Sequence, residues 1–129
     1  MRTIFGIGID LIEVKRIERT FFRFGERFAR RIFTESEIKF CEQKKDGKFQ
    51  SYAARFAAKE AFAKALGTGL RGKISWREIE IIDDERHRPQ MVAKGKAKEY
   101  LGERTVHLSI SHIADYACAI CLIEEKNSP

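Results

Sequence analysis

Residues 56–69 read FAAKEAFAKALGTG, and this stretch decides how the rest of the chain is organised. Alanine, leucine, lysine and glutamate are strong helix formers, so a helix is predicted that begins near residue 49 and ends at Leu66. Gly67 supplies the stop. Apolar side chains surround this helix on nearly all sides, which is typical of a buried helix. The sequence therefore predicts a long central helix with the other elements packed around it.

The central helix also carries charged side chains, at Arg55, Lys59, Glu60 and Lys64. Buried charges are costly unless they are paired, hydrogen-bonded or bound to a metal or ligand. Glu60 and Lys64 are four residues apart and could pair with each other. From the residues alone, local pairing and ligand binding both remain open.

Length and composition bound the class of protein. A chain of 129 residues makes one domain, and its net charge of +6 favours an acidic partner: nucleic acid, an anionic protein or a phosphorylated small molecule. The chain has an odd number of cysteines, Cys41, Cys118 and Cys121, and no second pair of metal ligands accompanies them. We therefore expect them to be small core residues of a protein from a reducing compartment. There is no membrane-length apolar run, and Asp10 interrupts any signal-peptide core. A cytoplasmic protein is expected.

The predicted elements place helices mainly in the first half and strands in the second. After an initial strand at 3–9, helices are predicted at 11–24, 35–43 and 49–66, with a short helix or turn at 26–32, and strands at 74–82, 90–94, 105–111 and 116–123. This order predicts an α+β fold in which a mostly antiparallel sheet wraps the long central helix. We expect a single domain over residues 1–124 and a short flexible tail at 125–129.

The first strand ends in a possible functional residue. Gly6 and Gly8 alternate within it, which indicates that another group approaches its backbone closely. Asp10 follows, and with Glu13 three residues later it has the form of a helix N-cap. Alternatively, Asp10 and Glu60 are two carboxylates near lysines, a set that suits Mg²⁺ and a phosphate ester. Spacing alone does not choose between the cap and the metal ligand.

A basic stripe is predicted on the first helix, at Arg16, Arg19 and Arg23. Their i, i+3, i+7 spacing puts them on one helical face. Such a face is either simply solvated or a docking surface for an acidic partner. The glycine-rich loop at 67–73, with Arg71 and Lys73, is by itself a weak indication of phosphate binding. His112, a lone histidine after a strand, is by default a turn residue.

Two motifs resemble those of the bacterial holo-acyl-carrier-protein synthases. The first is GIGIDLIEVKRI at 6–17, and the second is FAAKEA at 56–61 followed by KA at 64–65 and GTG at 67–69. Further matches occur in the same order at 27–34, 76–81 and 109–112. The resemblance implies the 4′-phosphopantetheinyl transferase fold. It also implies transfer of the 4′-phosphopantetheine arm of coenzyme A to a serine of apo-acyl-carrier protein in fatty acid biosynthesis, releasing adenosine 3′,5′-bisphosphate.

The same resemblance implies roles for individual residues. Asp10 and Glu60 would hold Mg²⁺, and together with Lys64 they would be catalytic. Coenzyme A would contact Arg55, Lys59, Lys64, Gly67, Thr68, Gly69 and His112. The basic stripe would meet the acidic carrier protein, and a homotrimer would place its sites between subunits, with no nucleic acid or membrane as partner. One departure is His87-Arg88-Pro89, where relatives often have Gly-Lys-Pro.

Two other classes of protein remain open from the residues. A glycine-rich strand ending in Asp, followed by a helix bearing Glu, also opens RNase H-like nucleases, but those need further carboxylates around two metals. Here only Asp83, Asp84 and Asp115 are available late in the chain, all in predicted turns. An RNA-binding module would need aromatic and basic residues on its strands, and these are lacking.

Overall fold

The computed structural model describes residues 3–70 and 72–126, and they form the expected α+β fold. In chain order the elements are β1 (Ile4–Glu13), α1 (Val14–Phe24), α2 (Glu26–Ile32), α3 (Glu35–Glu42), α4 (Lys48–Leu66), β2 (Ile79–Asp83), β3 (Pro89–Ala93), α5 (Gly95–Leu101), β4 (Thr105–His112) and β5 (Tyr116–Glu124). One antiparallel sheet has the strand order β1-β5-β4, and β2 and β3 form a separate hairpin. None of the described helices is long and apolar enough to cross a membrane.

The central helix α4 packs directly on β1, as the alternating glycines predicted. A Cβ placed on Gly8 would lie 2.8 Å from Ala65 N and 3.0 Å from Lys64 Cβ, and closer still to the carbonyl oxygen of Ala61. Gly6 lies in the same way against Ala65. Because Gly6 meets Ala65 and Gly8 meets Ala61, the strand and the helix run in opposite directions at van der Waals contact.

The predicted end of the first strand was wrong. β1 continues through Asp10, which pairs with Ala119 of β5, and α1 begins only at Val14. Asp10 is therefore not a helix cap. The backbone N–H of Val14 instead donates to Asp115 O at 2.8 Å. Leu11, which lay within the helix predicted at 11–24, is instead 65% exposed on β1. Pairing with β5 keeps the backbone extended, and this tertiary contact overrides the local capping pattern.

The outer face of the three-stranded sheet is apolar and exposed along β1 and β5, whereas β4 contributes polar side chains such as His107 and Ser109 to it. Its large exposed side chains are Ile7, Ile9, Leu11, Tyr116 and Ile120. The small side chains of β5, Ala117, Ala119 and Cys121, are buried on the inner face. Small side chains on this inner face allow α4 to approach the sheet closely, and the apolar side chains that are exposed lie on the outer face.

The segment before β2 was predicted as strand but begins differently. Ser75 and Glu78 form a capping box around a 3-10 turn at Trp76–Glu78, and β2 starts only at Ile79. In the hairpin that follows, His87 adopts a left-handed conformation with φ 61°. The Asp84 carboxylate closes this turn by accepting from the backbone N–H groups of Arg86 and Arg88 at 2.8 and 2.9 Å. This chain therefore forms the hairpin turn with His87-Arg88-Pro89 in place of Gly-Lys-Pro.

The expected flexible tail is anchored at its start. The backbone N–H of Glu125 donates to Thr3 O at 2.8 Å, and Arg104 Nε donates to the Glu125 carboxylate at 2.8 Å. Lys126 pairs with Glu103. The remainder of the predicted tail, residues 127–129, lies outside the described residues.

Candidate active site

Asp10 and Lys64 meet where β1 crosses α4. Strand alternation puts Asp10 on the same face as Gly6 and Gly8, toward the helix. Lys64 Nζ lies 3.2 Å from Asp10 Oδ1 and donates to Ile9 O at 3.0 Å. The Asp10 side chain is 17% exposed and that of Lys64 is 53% exposed. The contact therefore lies at an open edge of the protein, within reach of a ligand.

Glu60 belongs to the same edge. Phe56, Glu60 and Lys64 are spaced by four residues and so form one row along α4. At one end of the row Lys64 contacts Asp10, and at the other end the Phe56 ring stacks on Trp76, with centroids 4.8 Å apart and an interplanar angle of 28°. Glu60, partly buried, lies between them. The structure thus brings together the three residues expected to be catalytic.

The donor chemistry of this edge fits magnesium. Mg²⁺ takes one or two carboxylates, retains waters and completes its shell with phosphate oxygens. Asp10 and Glu60 offer two carboxylates, and the Lys64 ammonium on Asp10 Oδ1 shows that this carboxylate already holds a cation. Among the described residues no group of three or more His, Cys, Asp or Glu side chains could hold an ion. Two carboxylates suit an ion whose remaining ligands are waters and phosphate oxygens.

Arg55 and His112 line a second cavity, of about 190 Å³. The Arg55 side chain is nearly buried, with its guanidinium 4.0 Å from the centroid of the Phe40 ring and 4.0 Å from Asp83 Oδ1. Its Nε atom is buried and has no hydrogen-bond partner among residues 3–70 and 72–126. Because a buried donor without a partner is costly, this cavity is suited to a ligand that accepts hydrogen bonds.

Lys44 and Phe40 also line the Arg55 cavity, and sequence reasoning missed both. The Lys44 ammonium lies 4.9 Å from the centroid of the Phe40 ring. The cluster of lysines at 44–48 was the only signal in the sequence. With Lys44, Arg55 and His112 on its walls, the cavity favours an anionic ligand.

Lys59 is placed away from both sites. Its side chain is 0% exposed, and its ammonium donates to Glu37 Oε1 at 2.6 Å, Ile32 O at 2.8 Å and Trp76 O at 3.1 Å. Burial lowers the pKa of Lys59, and the Glu37 carboxylate opposes that effect. All three ammonium protons are thus directed at protein groups. The expected contact between Lys59 and coenzyme A does not fit this placement, because a ligand cannot reach a fully buried amine.

The Gly67–Gly69 loop closes the end of α4. The backbone N–H groups of Gly67 and Gly69 donate to Ala63 O at 3.0 and 3.3 Å, and both glycines have positive φ. The Thr68 hydroxyl donates to Gly69 O at 3.0 Å. The loop follows Lys64 within one turn and so lies at the same end of α4 as the Asp10 contact. Arg71 lies outside the described residues.

The basic stripe is exposed along α1. Arg16, Arg19 and Arg23 all face solvent, and no described carboxylate forms an ion pair with any of them. The opposite face of α1 is anchored by Val14 and Ile17, which are buried. The stripe therefore offers three uncompensated cations on a firmly packed helix.

Comparison with known proteins identifies the family. The model of the 4′-phosphopantetheinyl transferase superfamily matches residues 6–121. The holo-[acyl-carrier-protein] synthase of Koribacter versatilis is 46% identical over 125 residues, covering 95% of this chain and 99% of that relative. The corresponding protein of Chlamydia trachomatis serovar D is 46% identical over 121 residues, covering 94% of this chain and all of the relative.

Solved structures of the same enzyme have the same fold. The holo-[acyl-carrier-protein] synthase of Neisseria meningitidis superposes with a TM-score of 0.87 at 40% identity, covering 95% of this chain and 100% of that one. The Bacillus anthracis enzyme, in complex with CoA (3′,5′-ADP), gives a TM-score of 0.82 at 39% identity, covering 95% and 98%. The chain therefore belongs to the 4′-phosphopantetheinyl transferase superfamily and, within it, to the holo-[acyl-carrier-protein] synthases.

Proposed function

We propose that this synthase transfers the 4′-phosphopantetheine arm of coenzyme A to a serine of apo-acyl-carrier protein, releases adenosine 3′,5′-bisphosphate and depends on Mg²⁺. The observation that carries the proposal is the Asp10–Lys64 contact of 3.2 Å at an open edge, with Glu60 one helical turn away. The coenzyme A complexes of the Bacillus anthracis and Helicobacter pylori relatives support the choice of co-substrate. The expected cytoplasmic setting in fatty acid biosynthesis rests on the family alone.

The chain's own residues suit phosphoryl chemistry in which the serine oxygen attacks the β-phosphorus. Asp10 and Glu60 would hold Mg²⁺, which when bound would neutralise charge on the pyrophosphate. Lys64, more than half exposed, reaches a phosphate oxygen at this edge and stabilises the charge that grows on the leaving group. The serine proton needs an acceptor, and we assign this role to Glu60, acting directly or through a water.

Coenzyme A carries a pyrophosphate and a separate phosphate on its ribose, and the enzyme offers one site for each. The pyrophosphate belongs at the Asp10–Lys64 edge, beside Gly67, Thr68 and Gly69. The cavity of Lys44, Arg55 and His112 suits the phosphate on the ribose, because the partnerless Arg55 Nε can donate to it. Arg55 and Lys64 are nine residues apart on α4, which separates them by about 13 Å along the helix axis and by about 180° around it. One coenzyme A would therefore meet the Arg55 cavity and the Asp10–Lys64 edge on two different subunits of the proposed homotrimer. Lys59 is not among the proposed contacts.

The remaining partners are proposed from the exposed surfaces. The basic stripe docks the acidic carrier protein, and its charges raise the rate of encounter. A homotrimer covers the apolar outer face of the sheet, since exposed apolar patches of this kind mark protein interfaces. Ile9 and Leu11 on that face flank Asp10 in β1, so the interface would run along the strand that carries the active site.

The test is to incubate the enzyme with coenzyme A, Mg²⁺ and apo-carrier protein and to follow the carrier's gain of one phosphopantetheinyl arm by mass spectrometry. Asp10→Asn and Glu60→Gln should each fold normally and lose about 100-fold or more in kcat. Glu26→Gln, which removes an exposed carboxylate on α2, is the control and should retain full turnover. Near-normal, magnesium-dependent turnover in both site variants would contradict the roles of Asp10 and Glu60, and a carrier protein that gains no mass with the wild-type enzyme would contradict the proposed transfer. Loss of a helix cap cannot explain an Asp10→Asn defect, because Asp10 lies inside a strand.

A further inference from the structure

Lys59 and Glu37 form a buried hub that joins distant parts of the chain. Lys59 Nζ donates to the Glu37 carboxylate, to Ile32 O at the end of α2 and to Trp76 O in the 3-10 turn. Glu37 also accepts from the backbone N–H groups of Thr34 and Ile81, each at 2.8 Å. The hub thus fixes the Trp76 turn to α4 through a hydrogen bond to the backbone of Trp76 itself.

The turn held by Lys59 borders the active site. Its Trp76 ring stacks on Phe56, and Phe56 is the residue one turn before Glu60 in the row along α4. Asp10 and Lys64 lie on the other side of Glu60. Trp76 also lines an open groove of about 500 Å³ with Arg31 and Lys73. The stacked rings therefore connect that groove to the row of α4 that carries Glu60.

We propose that Lys59 is a positioning residue for the transfer reaction: it holds the Trp76 turn so that the Phe56–Trp76 stack forms a fixed wall beside Glu60. This inference rests on the role proposed above for Glu60. The wall limits where the substrate and the Glu60 carboxylate can lie, and a misplacement of about 1 Å can reduce a rate about 100-fold. Lys59 itself touches neither substrate.

The energetics favour a geometric role over a purely stabilising one. A buried ion pair costs so much desolvation that an apolar pair of similar size often gives equal or greater stability. What an apolar pair cannot supply is a directed bond to the carbonyl of Trp76. The burial that lowers the pKa of Lys59 agrees with an amine enclosed by protein on all sides.

The test uses Lys59→Met, which keeps the length of the side chain and removes its hydrogen bonds. Trp76 is the only tryptophan in the chain, so its fluorescence reports the wall directly. At a temperature where the variant is fully folded, we expect red-shifted emission, increased quenching by acrylamide and a fall in kcat of about ten-fold or more. Tyr52→Phe is the matched control, because it removes another buried hydrogen bond of α4, to Glu42 at 2.7 Å. It should change neither the fluorescence nor kcat.

A double-mutant cycle then separates positioning from stability. If Lys59 acts through the wall, Lys59→Met should cause little further loss of kcat in a Trp76→Ala background. Independent, multiplicative losses would overturn the proposal, as would a Lys59→Met enzyme with a lower Tm but wild-type kcat and fluorescence. If Lys59→Met does not fold, Glu37→Gln, which retains an acceptor for Lys59, is judged by the same criteria. A failure of the proposed function is distinguishable, since it appears as a wild-type enzyme that adds no phosphopantetheinyl arm to the carrier protein.

Discussion

Replacing Gly8 with alanine should disable the enzyme by moving the helix that carries Glu60 and Lys64. The new methyl group would lie 2.8 Å from Ala65 N and 3.0 Å from Lys64 Cβ, and nearer still to the Ala61 carbonyl. Unbonded heavy atoms pack at about 3.5–4.0 Å, so α4 must retreat from β1 by roughly 1 Å. The obstructing atoms are mostly backbone, which cannot rotate away as a side chain could.

Two magnitudes follow from this displacement. Overpacking of a tight contact costs about 3 kcal/mol at the upper end of its usual range. For a chain of this length that lowers Tm by about 10 °C. A shift of about 1 Å between Asp10 and the residues of α4 should also lower kcat about 100-fold in the molecules that remain folded. Thermal melting followed by circular dichroism measures the first effect, and carrier-protein modification well below Tm measures the second.

Gly102→Ala is the matched control for Gly8→Ala. Gly102 has φ 64°, so alanine there is strained by about 1–2 kcal/mol, but Gly102 lies in the turn between α5 and β4, outside the site. Both variants should lose stability, and only Gly8→Ala should lose kcat. A Gly8→Ala enzyme with wild-type kcat would refute the reasoning that this strand–helix contact sets the geometry of the site.

Three further predictions concern other parts of the molecule. Arg16→Glu should raise KM for the carrier protein far more than KM for coenzyme A, and moderate salt should raise the wild-type KM for the carrier protein in the same way. Equal losses for both substrates would contradict docking on the basic stripe. Ile9→Lys should dissociate the homotrimer in light scattering because it puts a charge on the apolar outer face, whereas a wild-type monomer with full activity at nanomolar concentration would exclude the trimer. Burial opposes ionisation of Glu80, but hydrogen bonds from Thr34, Ser36 and Lys94 outweigh it and lower its pKa to about 2. Because that pKa lies below the ordinary value of 4.5, Glu80 should contribute about 3 kcal/mol to the free energy of unfolding above pH 4.5, and this contribution should be lost as pH falls toward 2. Glu80→Gln should therefore make the free energy of unfolding less dependent on pH over that range.

Elements with strong local signals were predictable from the sequence. The central helix ends at Leu66 before Gly67, as expected, and the Thr34–Glu37 capping box begins α3. The alternating glycines of β1 correctly indicated a close backbone approach, although the sequence could not say that α4 was the partner. These features depend on residues close together in the chain, where propensity and capping act.

Features that depend on distant partners were not predictable in the same way. The capping pattern from Asp10 to Glu13 is locally plausible, but β5 pairs with these residues from more than 100 positions away and keeps them extended. Lys44 joins Arg55 and His112 only because the polar turn before α4 folds toward the end of β4. A single sequence carries no signal for such contacts until the fold that creates them is known.

Lys59 and Lys64 show how one motif divides into two roles. They are five residues apart on α4, which separates them by about 140° around the helix axis. Lys64 therefore emerges beside β1, more than half exposed, on the Asp10 carboxylate. Lys59 points into the core, where Glu37, 22 residues earlier, meets it at 2.6 Å. A helix that must bury nearly all of its surface can still present an exposed, charged edge, provided that its inward charge is matched by a partner. The FAAKEAFAK motif is thus divided between a buried ion pair and the edge proposed to be catalytic, and Glu60 lies at the boundary between the two.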